Sequence, residues 1–215
     1  MGNRLQMVKI LINGFKDFRE RFTKKEKLFF QKLAKKAQKP HTMVISCSDS
    51  RVDPAILFET KPGELFVVRN VANLVPPYQP NESFSEVSAA IEFGVRHLKV
   101  KNVIVLGHAF CGGINAFCSN LIGDATDESE FIGPWLKILD PASSSLDLSL
   151  SKDELLHNME KVAIVNSIKN LRTFPWIRDL EKEKKIEIHG WWFDLESGYL
   201  WSWVNNENKF KKLAP

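Results

Sequence analysis

Cysteine is scarce in this 215-residue chain: Cys47, Cys111 and Cys118 are the three. An odd, small set forms no even disulfide framework, and the chain is too long to be a small disulfide-stapled scaffold. No Cys-x-x-Cys pair is present, which weighs against a thiol–disulfide redox protein. No run approaches the about eighteen consecutive apolar residues of a membrane-spanning helix. The apolar stretch Met7 to Ile12 is short, is broken by Lys9 and has no small-residue cleavage site behind it. Gly2 is present, but Gln6 stands where a myristoylation signal needs Ser or Thr. Internal repeats and low-complexity blocks are missing. Neither sign of charge is in great excess, since 30 basic and 26 acidic residues leave +4. The lysine pairs (Lys24-Lys25, Lys35-Lys36, Lys211-Lys212) read as solvated helix faces. With no aromatic-basic RNA-binding signature, neither nucleic acid nor a membrane is expected as a partner. These absences leave a cytoplasmic protein of a reducing compartment. Its 44% hydrophobic and 26% charged residues suit one substantial core.

The order of elements sets the fold class. Leu5, Val8, Leu11, Ile12, Phe15, Phe18 and Phe22 recur at helical spacing, although Asn13-Gly14 weakens that helix in its middle. Thr23-Lys24-Lys25-Glu26 is a capping box opening a second helix that ends before Pro40. These form an N-terminal helical arm, residues 1–40, with more phenylalanine than its own surface can hide. Strands are expected at Thr42 to Ser46, Glu64 to Arg69, Val103 to Leu106, Ile186 to Phe193 and Tyr199 to Val204, the last two as a hairpin. Helices are expected at Ser85 to Leu98, Ile114 to Leu121, Asp153 to Leu171 and Pro175 to Lys184. Gly123 to Ser151 reads as an irregular linker around a short helix near Trp135 to Leu139. The pattern predicts an α/β fold with a central, mainly parallel sheet of about four to five strands flanked by helices. The arm and an α/β core, residues 41–215, make one domain of 1–215.

Chemistry gathers at two strand ends. The first strand runs into Cys47-Ser48-Asp49-Ser50-Arg51, and the third runs into Gly107-His108-Ala109-Phe110-Cys111-Gly112-Gly113. The carboxyl edge of an open α/β sheet is where ligands collect. Two thiols and an imidazole make a borderline-soft set that suits zinc, with a fourth position left open. A His-x-x-Cys pair alone is weak evidence, because most buried Cys and His are structural. Asp49 and Arg51 change the balance, since a charged pair at a strand end is costly to bury unless its members pair and are used. Cys118 reads as a packed helix residue. His41, His97, His157 and His189 lack partner spacing, and the tryptophans between Trp176 and Trp203 read as core or subunit contact.

The same residues carry a resemblance. Cys47-Ser48-Asp49-Ser50-Arg51-Val52, Phe66 to Pro77, Ala90-Ile91-Glu92-Phe93 and Gly107 to Ile114 stand in the order and spacing of the β-class carbonic anhydrases. The chain resembles that family from at least Gln38 to Phe117, and more loosely through the Gly190 to Trp203 hairpin. The resemblance implies one Zn2+ per chain, held by Cys47, His108 and Cys111 with water or hydroxide as fourth ligand. It implies reversible hydration of CO2 to bicarbonate, with the Asp49–Arg51 dyad orienting the hydroxide. The implied CO2 pocket comprises Gln38, Phe66, Val71, Phe93 and Gly112. The first four would reach the site across a dimer interface in a homodimer or homotetramer. Phe93 stands where the family often has tyrosine, which removes one hydroxyl. Members whose aspartate can ligate zinc favour tryptophan and glycine where this chain has Val44 and Ser46, so an open, plant-like site is implied. Hydrolysis of CS2 or COS on the same scaffold and a zinc-binding homologue without turnover are the alternatives. An intact Asp49 and Arg51 count against the second.

Overall fold

The protein is described here from a computed structural model that covers residues 2–81, 85–124, 129–144 and 146–213. The chain divides into two compact units, Met1–Gln38 and Lys39–Pro215.

The first unit is a helical hairpin of α1 (Gly2–Glu20) and α2 (Lys24–Lys35). Asn13-Gly14 does not interrupt α1. One glycine costs about 1 kcal/mol in a helix interior, too little to break so long a helix. The capping box forms as its sequence predicts: Glu26 N–H donates to Thr23 Oγ1 at 3.3 Å, and Thr23 N–H donates to Glu26 Oε2 at 2.7 Å. Phe18, Phe22 and Phe30 cluster at the turn, with ring centroids 5.4 to 6.3 Å apart. The rest of the apolar face stays open, with Leu11 75% and Phe15 62% exposed. The side chain of Leu5, also expected on that face, lies outside the described residues.

In the second unit a six-stranded sheet runs in the order β2-β1-β3-β4-β5-β6. Its strands are β1 (Thr42–Cys47), β2 (Leu65–Asn70), β3 (Asn102–His108), β4 (Glu187–Phe193), β5 (Leu200–Val204) and β6 (Lys209–Lys212). The four strands from β2 to β4 are parallel, and β5 and β6 are antiparallel. The sheet is the expected central, mainly parallel one, with β6 added to the about four to five strands expected. In β6 only Phe210 is apolar among lysines; Lys211-Lys212, expected on a solvated helix face, lie instead on a strand, because an edge strand tolerates and even favours such charges. The central strands β1 and β3 are almost wholly buried, as parallel strands covered on both faces must be.

Around the sheet lie α3 (Pro54–Leu57), α4 (Glu86–Glu92), α5 (Gly112–Leu121), α6 (Ile132–Leu136), α7 (Asp140–Ser143), α8 (Lys152–Leu171) and α9 (Pro175–Lys182). The helix expected at Ser85 to Leu98 is α4 continued by a π-helical turn over Phe93–His97. The expected linker holds α6, a 3-10 turn at Lys137–Leu139 and α7, while its residues 125–128 and 145 lie outside the described residues. One core layer joins Met43, Ile45, Val103 and Val105 to Ile164 and Ile168 of α8 and Ile177 of α9. The opposite face of β1 and β3 packs Val44, Ile104 and Leu106 against Leu57, Phe58 and Trp191.

Helix α8 sits unusually close to the sheet. A β-carbon at Gly107 would lie 2.7 Å from Ile164 Cδ1, and one at Gly190 would lie 2.7 Å from Ile168 Cδ1. Only glycine on β3 and β4 allows this approach, and it brings the face of α8 bearing Glu160 down to the strand ends.

Candidate metal centre

Parallel pairing places the donors side by side. Ser46 is in register with Leu106, so Cys47 at the end of β1 emerges beside His108 at the end of β3. Both are strand-terminal residues rather than the loop residues expected for them, because β1 and β3 each run longer than their hydrophobic runs. Between His108 and Cys111 the backbone turns sharply at Phe110, whose φ is +57°, and Cys111 then caps α5. All three donors are buried, His108 being 1% exposed. Their ligand atoms lie within 4.8 Å of one another.

The set fits zinc. The thiols are unbridged, with Cys47 Sγ 3.8 Å from Cys111 Sγ. Two sulfurs about 2.3 Å from a tetrahedral zinc would stand about 3.8 Å apart. His108 Nδ1 lies 2.8 Å from the Ala109 carbonyl oxygen, which fixes the proton on Nδ1 and leaves the Nε2 lone pair free. His108 Nε2 is buried without a hydrogen-bond partner among the described residues. A buried imidazole nitrogen facing two thiols is costly unless a cation satisfies it.

Without a metal, these groups perturb one another. Cys47 is held below the ordinary thiol range, first by the adjacent Cys111 S–H and then by His108, against the cost of burial. Cys111 is pushed up, by Cys47 and by burial, because two thiolates 3.8 Å apart cannot both ionise without a cation between them. Burial presses the His108 pKa down, but Cys47, the Ala109 carbonyl and Asp49 together outweigh this and leave it raised.

Asp49 and Arg51 form the dyad expected of them. Arg51 Nε donates to Asp49 Oδ1 at 3.0 Å, Arg51 Nη2 to Oδ2 at 2.7 Å, and the Arg51 amide to Oδ1 at 2.9 Å. The Arg51 guanidinium holds the Asp49 carboxyl well below the usual carboxylate range. Arg51 Nη2 also donates to the Phe110 carbonyl at 2.9 Å, tying the dyad to the loop that carries His108 and Cys111. Asp49 Oδ2 comes within 3.9 Å of His108 Nε2, so the carboxylate borders the donor set.

Within the second unit the expected pocket residues are not gathered in one place. Val71 follows β2 and packs on the start of α5, where a β-carbon at Gly113 would lie 2.7 Å from Val71 Cγ1. Gly112, exposed, opens α5 beside Cys111. Phe66 and Phe93 pair with ring centroids 5.9 Å apart. Phe66 is in register with Met43, four residues before the Cys47–Asn70 level. That places it about 13 Å down the strands from the donors of its own chain. Gln38 is an exposed residue of the first unit.

Other residues at the site were not read from the sequence as part of it. Arg69 donates to the carbonyls of Cys47 (3.0 Å), Asp49 (2.7 Å) and Val52 (3.0 Å) and to Asp53 Oδ2 (2.9 Å). Glu160, 2% exposed, accepts from the Cys111 amide (3.0 Å), from Trp192 Nε1 (3.1 Å) and, at 3.0 Å, from His157 Nδ1. A signal for Glu160 was present: it shares a helical face with Leu156, Ile164 and Leu171, so a carboxylate stands where the period calls for an apolar side chain.

Comparison with known proteins places this architecture. Residues 42–200 match the family model described as carbonic anhydrase. Beta carbonic anhydrase 3 of Arabidopsis thaliana is 35% identical over 205 residues, spanning 94% of this chain and 79% of that protein. Mitochondrial beta carbonic anhydrase 6 of the same plant is 40% identical over 176 residues, 80% of this chain and 60% of that protein. The solved structure of the beta-carbonic anhydrase CcaA superposes with a TM-score of 0.84 at 27% identity, covering 98% of this chain and 93% of that one. With Cys47, His108 and Cys111 converging at the edge of this sheet, the chain belongs to the carbonic anhydrase family, in its β class.

Proposed function

We propose that the chain catalyses the reversible hydration of CO2 to bicarbonate and a proton at a zinc ion held by Cys47, His108 and Cys111. The convergence of those three buried donors beside an Asp–Arg dyad carries this reading. When bound, zinc supplies the Lewis acidity that makes a nucleophile from water near neutral pH. The protein supplies the rest. Asp49 is an acceptor with both oxygens engaged by Arg51, and the remaining lone pairs at its Oδ2 border the donor set. It takes a hydrogen bond from the attacking oxygen and so turns that oxygen's lone pair toward the carbon of CO2. Arg51 keeps Asp49 ionised and oriented, and its bond to the Phe110 carbonyl keeps the dyad in register with His108 and Cys111. Gly112 offers a backbone amide near the reacting carbon dioxide; Val71, expected to come from a second copy, packs beside Gly113 of its own chain and is an apolar wall of that chain's site. Because Asp49 is already chelated by Arg51, the site is of the open kind at neutral pH. A crystal of the zinc protein grown near pH 7.5 with Asp49 on the metal would contradict that point.

Phe66, Phe93 and Gln38 complete the pocket from a second copy, so the working unit is a homodimer, alone or paired into a homotetramer. The register that keeps Phe66 about 13 Å from its own donors supports this. So does the exposure of Phe93, which is 43%. Among the described residues no helix is long and apolar enough to cross a membrane. Three unbridged thiols call for a reducing compartment. We assign the cytoplasm; since one relative is designated mitochondrial, fractionation is the check.

Stopped-flow CO2 hydration with zinc content measured alongside tests the function. The expected result is about one zinc per chain with rapid hydration, loss of metal in Cys47→Ser, and retained metal with loss of rate in Asp49→Ala. Full zinc occupancy without hydration would overturn the reading. No observation favours CS2 or COS as substrate.

A further inference from the structure

We infer that Glu160 is the positioning residue of the metal centre: its buried carboxylate, braced by His157 and Trp192, holds Cys111 by the backbone amide. The inference rests on the zinc reading above and extends it to a residue outside the donor set and the dyad.

Glu160 is a costly choice for its place. It is 2% exposed on the inner face of α8, flanked by Leu156, Met159, Ala163 and Ile164. Burying a carboxylate there is unfavourable unless every lone pair that needs a donor finds one. The donors come from three elements. Oε1 accepts the Cys111 amide of the loop entering α5, at 3.0 Å. Oε2 accepts Trp192 Nε1 of β4 at 3.1 Å and His157 Nδ1, one turn earlier on α8, at 3.0 Å. An ionised carboxylate only accepts, so it is the one common side-chain group that serves three donors at once. No lysine or arginine pairs with it among the described residues, so its second donor to Oε2, beside Trp192, is the His157 ring.

Helix packing does not need this arrangement. The apolar contacts of Ile164 and Ile168 with Gly107 and Gly190 already seat α8 on the sheet. What Glu160 adds is a fixed point for the one metal donor that lies on a loop rather than on a strand. Cys47 and His108 are held by the ladders of β1 and β3. Cys111 follows the left-handed turn at Phe110 and has no ladder. Its amide bond to Glu160, from the opposite side of the Phe110 carbonyl that Arg51 holds, fixes the direction of its Cα–Cβ bond and so of its sulfur.

The test uses the full chain loaded with zinc or cobalt. In Glu160→Gln the amide presents one acceptor and one donor. If its oxygen faces Cys111, its NH2 meets Trp192 Nε1–H and His157; if it flips, it meets the Cys111 amide. His157 can change tautomer to accept, but Trp192 cannot. Glu160→Gln should release zinc to the chelator 4-(2-pyridylazo)resorcinol about tenfold faster or more. It should also shift the thiolate-to-cobalt charge-transfer band, with the far-UV circular dichroism unchanged. Adding Trp192→Phe removes the unmatched donor, so the double variant should release zinc no faster than Trp192→Phe alone, a rescue that lost packing would not produce. Should Glu160→Gln not fold, His157→Phe at its half-exposed position should speed release about threefold, below the roughly ten- to hundredfold of a direct outer-shell partner because Trp192 still donates to Glu160 and Glu160 still accepts from Cys111. A wild-type release rate and cobalt spectrum in Glu160→Gln, a failure of rescue, or an unchanged rate in His157→Phe would each overturn the inference. Wild-type protein that binds neither metal would instead overturn the zinc reading itself.

Discussion

At Arg69 a single guanidinium holds the loop that carries Cys47 and Asp49. Its four bonds satisfy three carbonyls and Asp53, and Asp53 in turn caps α3. Lysine has the charge but not the planar fork. Arg69→Lys leaves at least one of the four acceptors without the donor it now has, at about 1–3 kcal/mol. We expect that loss in urea denaturation of the metal-free protein, together with weaker zinc retention; an unchanged midpoint would remove Arg69 from the loop's support. Asp49 gives a pH dependence of definite sign. Its folded pKa lies below the ordinary 3.8 because Arg51 donates to it. The unfolded state therefore binds its proton first as pH falls, and the pair's contribution is complete above the ordinary value and lost through the lowered one. Metal-free wild type should lose more stability than Asp49→Asn between about pH 5 and pH 2, as measured by denaturation at each pH. The contrast between Asp49 and Glu160 also shows which site residues a sequence displays. Cys47, Asp49 and Arg51 are adjacent, and His108 and Cys111 share one loop, so residue type and spacing reveal them. Glu160 reaches a backbone amide 49 positions away, and a backbone partner has no residue type to read.

Among the elements, α8 governs the site from behind, and its seat depends on two glycines. Alanine at Gly190 would put a β-carbon 2.7 Å from Ile168 Cδ1 and 2.8 Å from Ile164 Cγ2. Overpacking of that kind costs about 1–3 kcal/mol. Gly190→Ala should lower the urea midpoint accordingly while still binding zinc, because β4 carries no donor; a midpoint equal to wild type would mean that α8 can lift without cost. The helices and central strands were legible because their patterns are strong: α2 and α8 both open on capping boxes that form, and β1 and β3 are continuous apolar runs. Two features were not legible. Strand β6 carries lysines suited to an edge, which read as a solvated helix face until the β5 partner is known. The π-helical turn at Phe93–His97 follows a helical period with no Pro or Gly signal strong enough to mark the change.

For the whole molecule, the proposed two-copy pocket makes a demand on assembly that the metal does not. All three zinc donors and the Asp49–Arg51 dyad come from one chain, so metal binding needs no partner. Phe66 lies well down the strands from those donors, and Phe93 is 43% exposed on the same chain. Helix α1 leaves Met7, Leu11, Ile12 and Phe15 exposed, an apolar face of the kind that marks an interaction site, and the proposed assembly is tested there. Introducing Leu11→Glu and Phe15→Glu together places charges on that face and alters no donor, dyad or sheet residue. The expected product is a smaller species by sedimentation velocity, still holding about one zinc per chain but with CO2 hydration reduced by at least about tenfold, a barrier change of about 1.4 kcal/mol. If the pair dissociates and hydration stays at the wild-type rate, the pocket is built within one chain and the contribution of Phe66 and Phe93 from a second copy is wrong. If assembly survives the two charges, α1 is not the face that holds it, and the exposed Val67, Val71 and Phe93 surface becomes the interface to test by the same measurement.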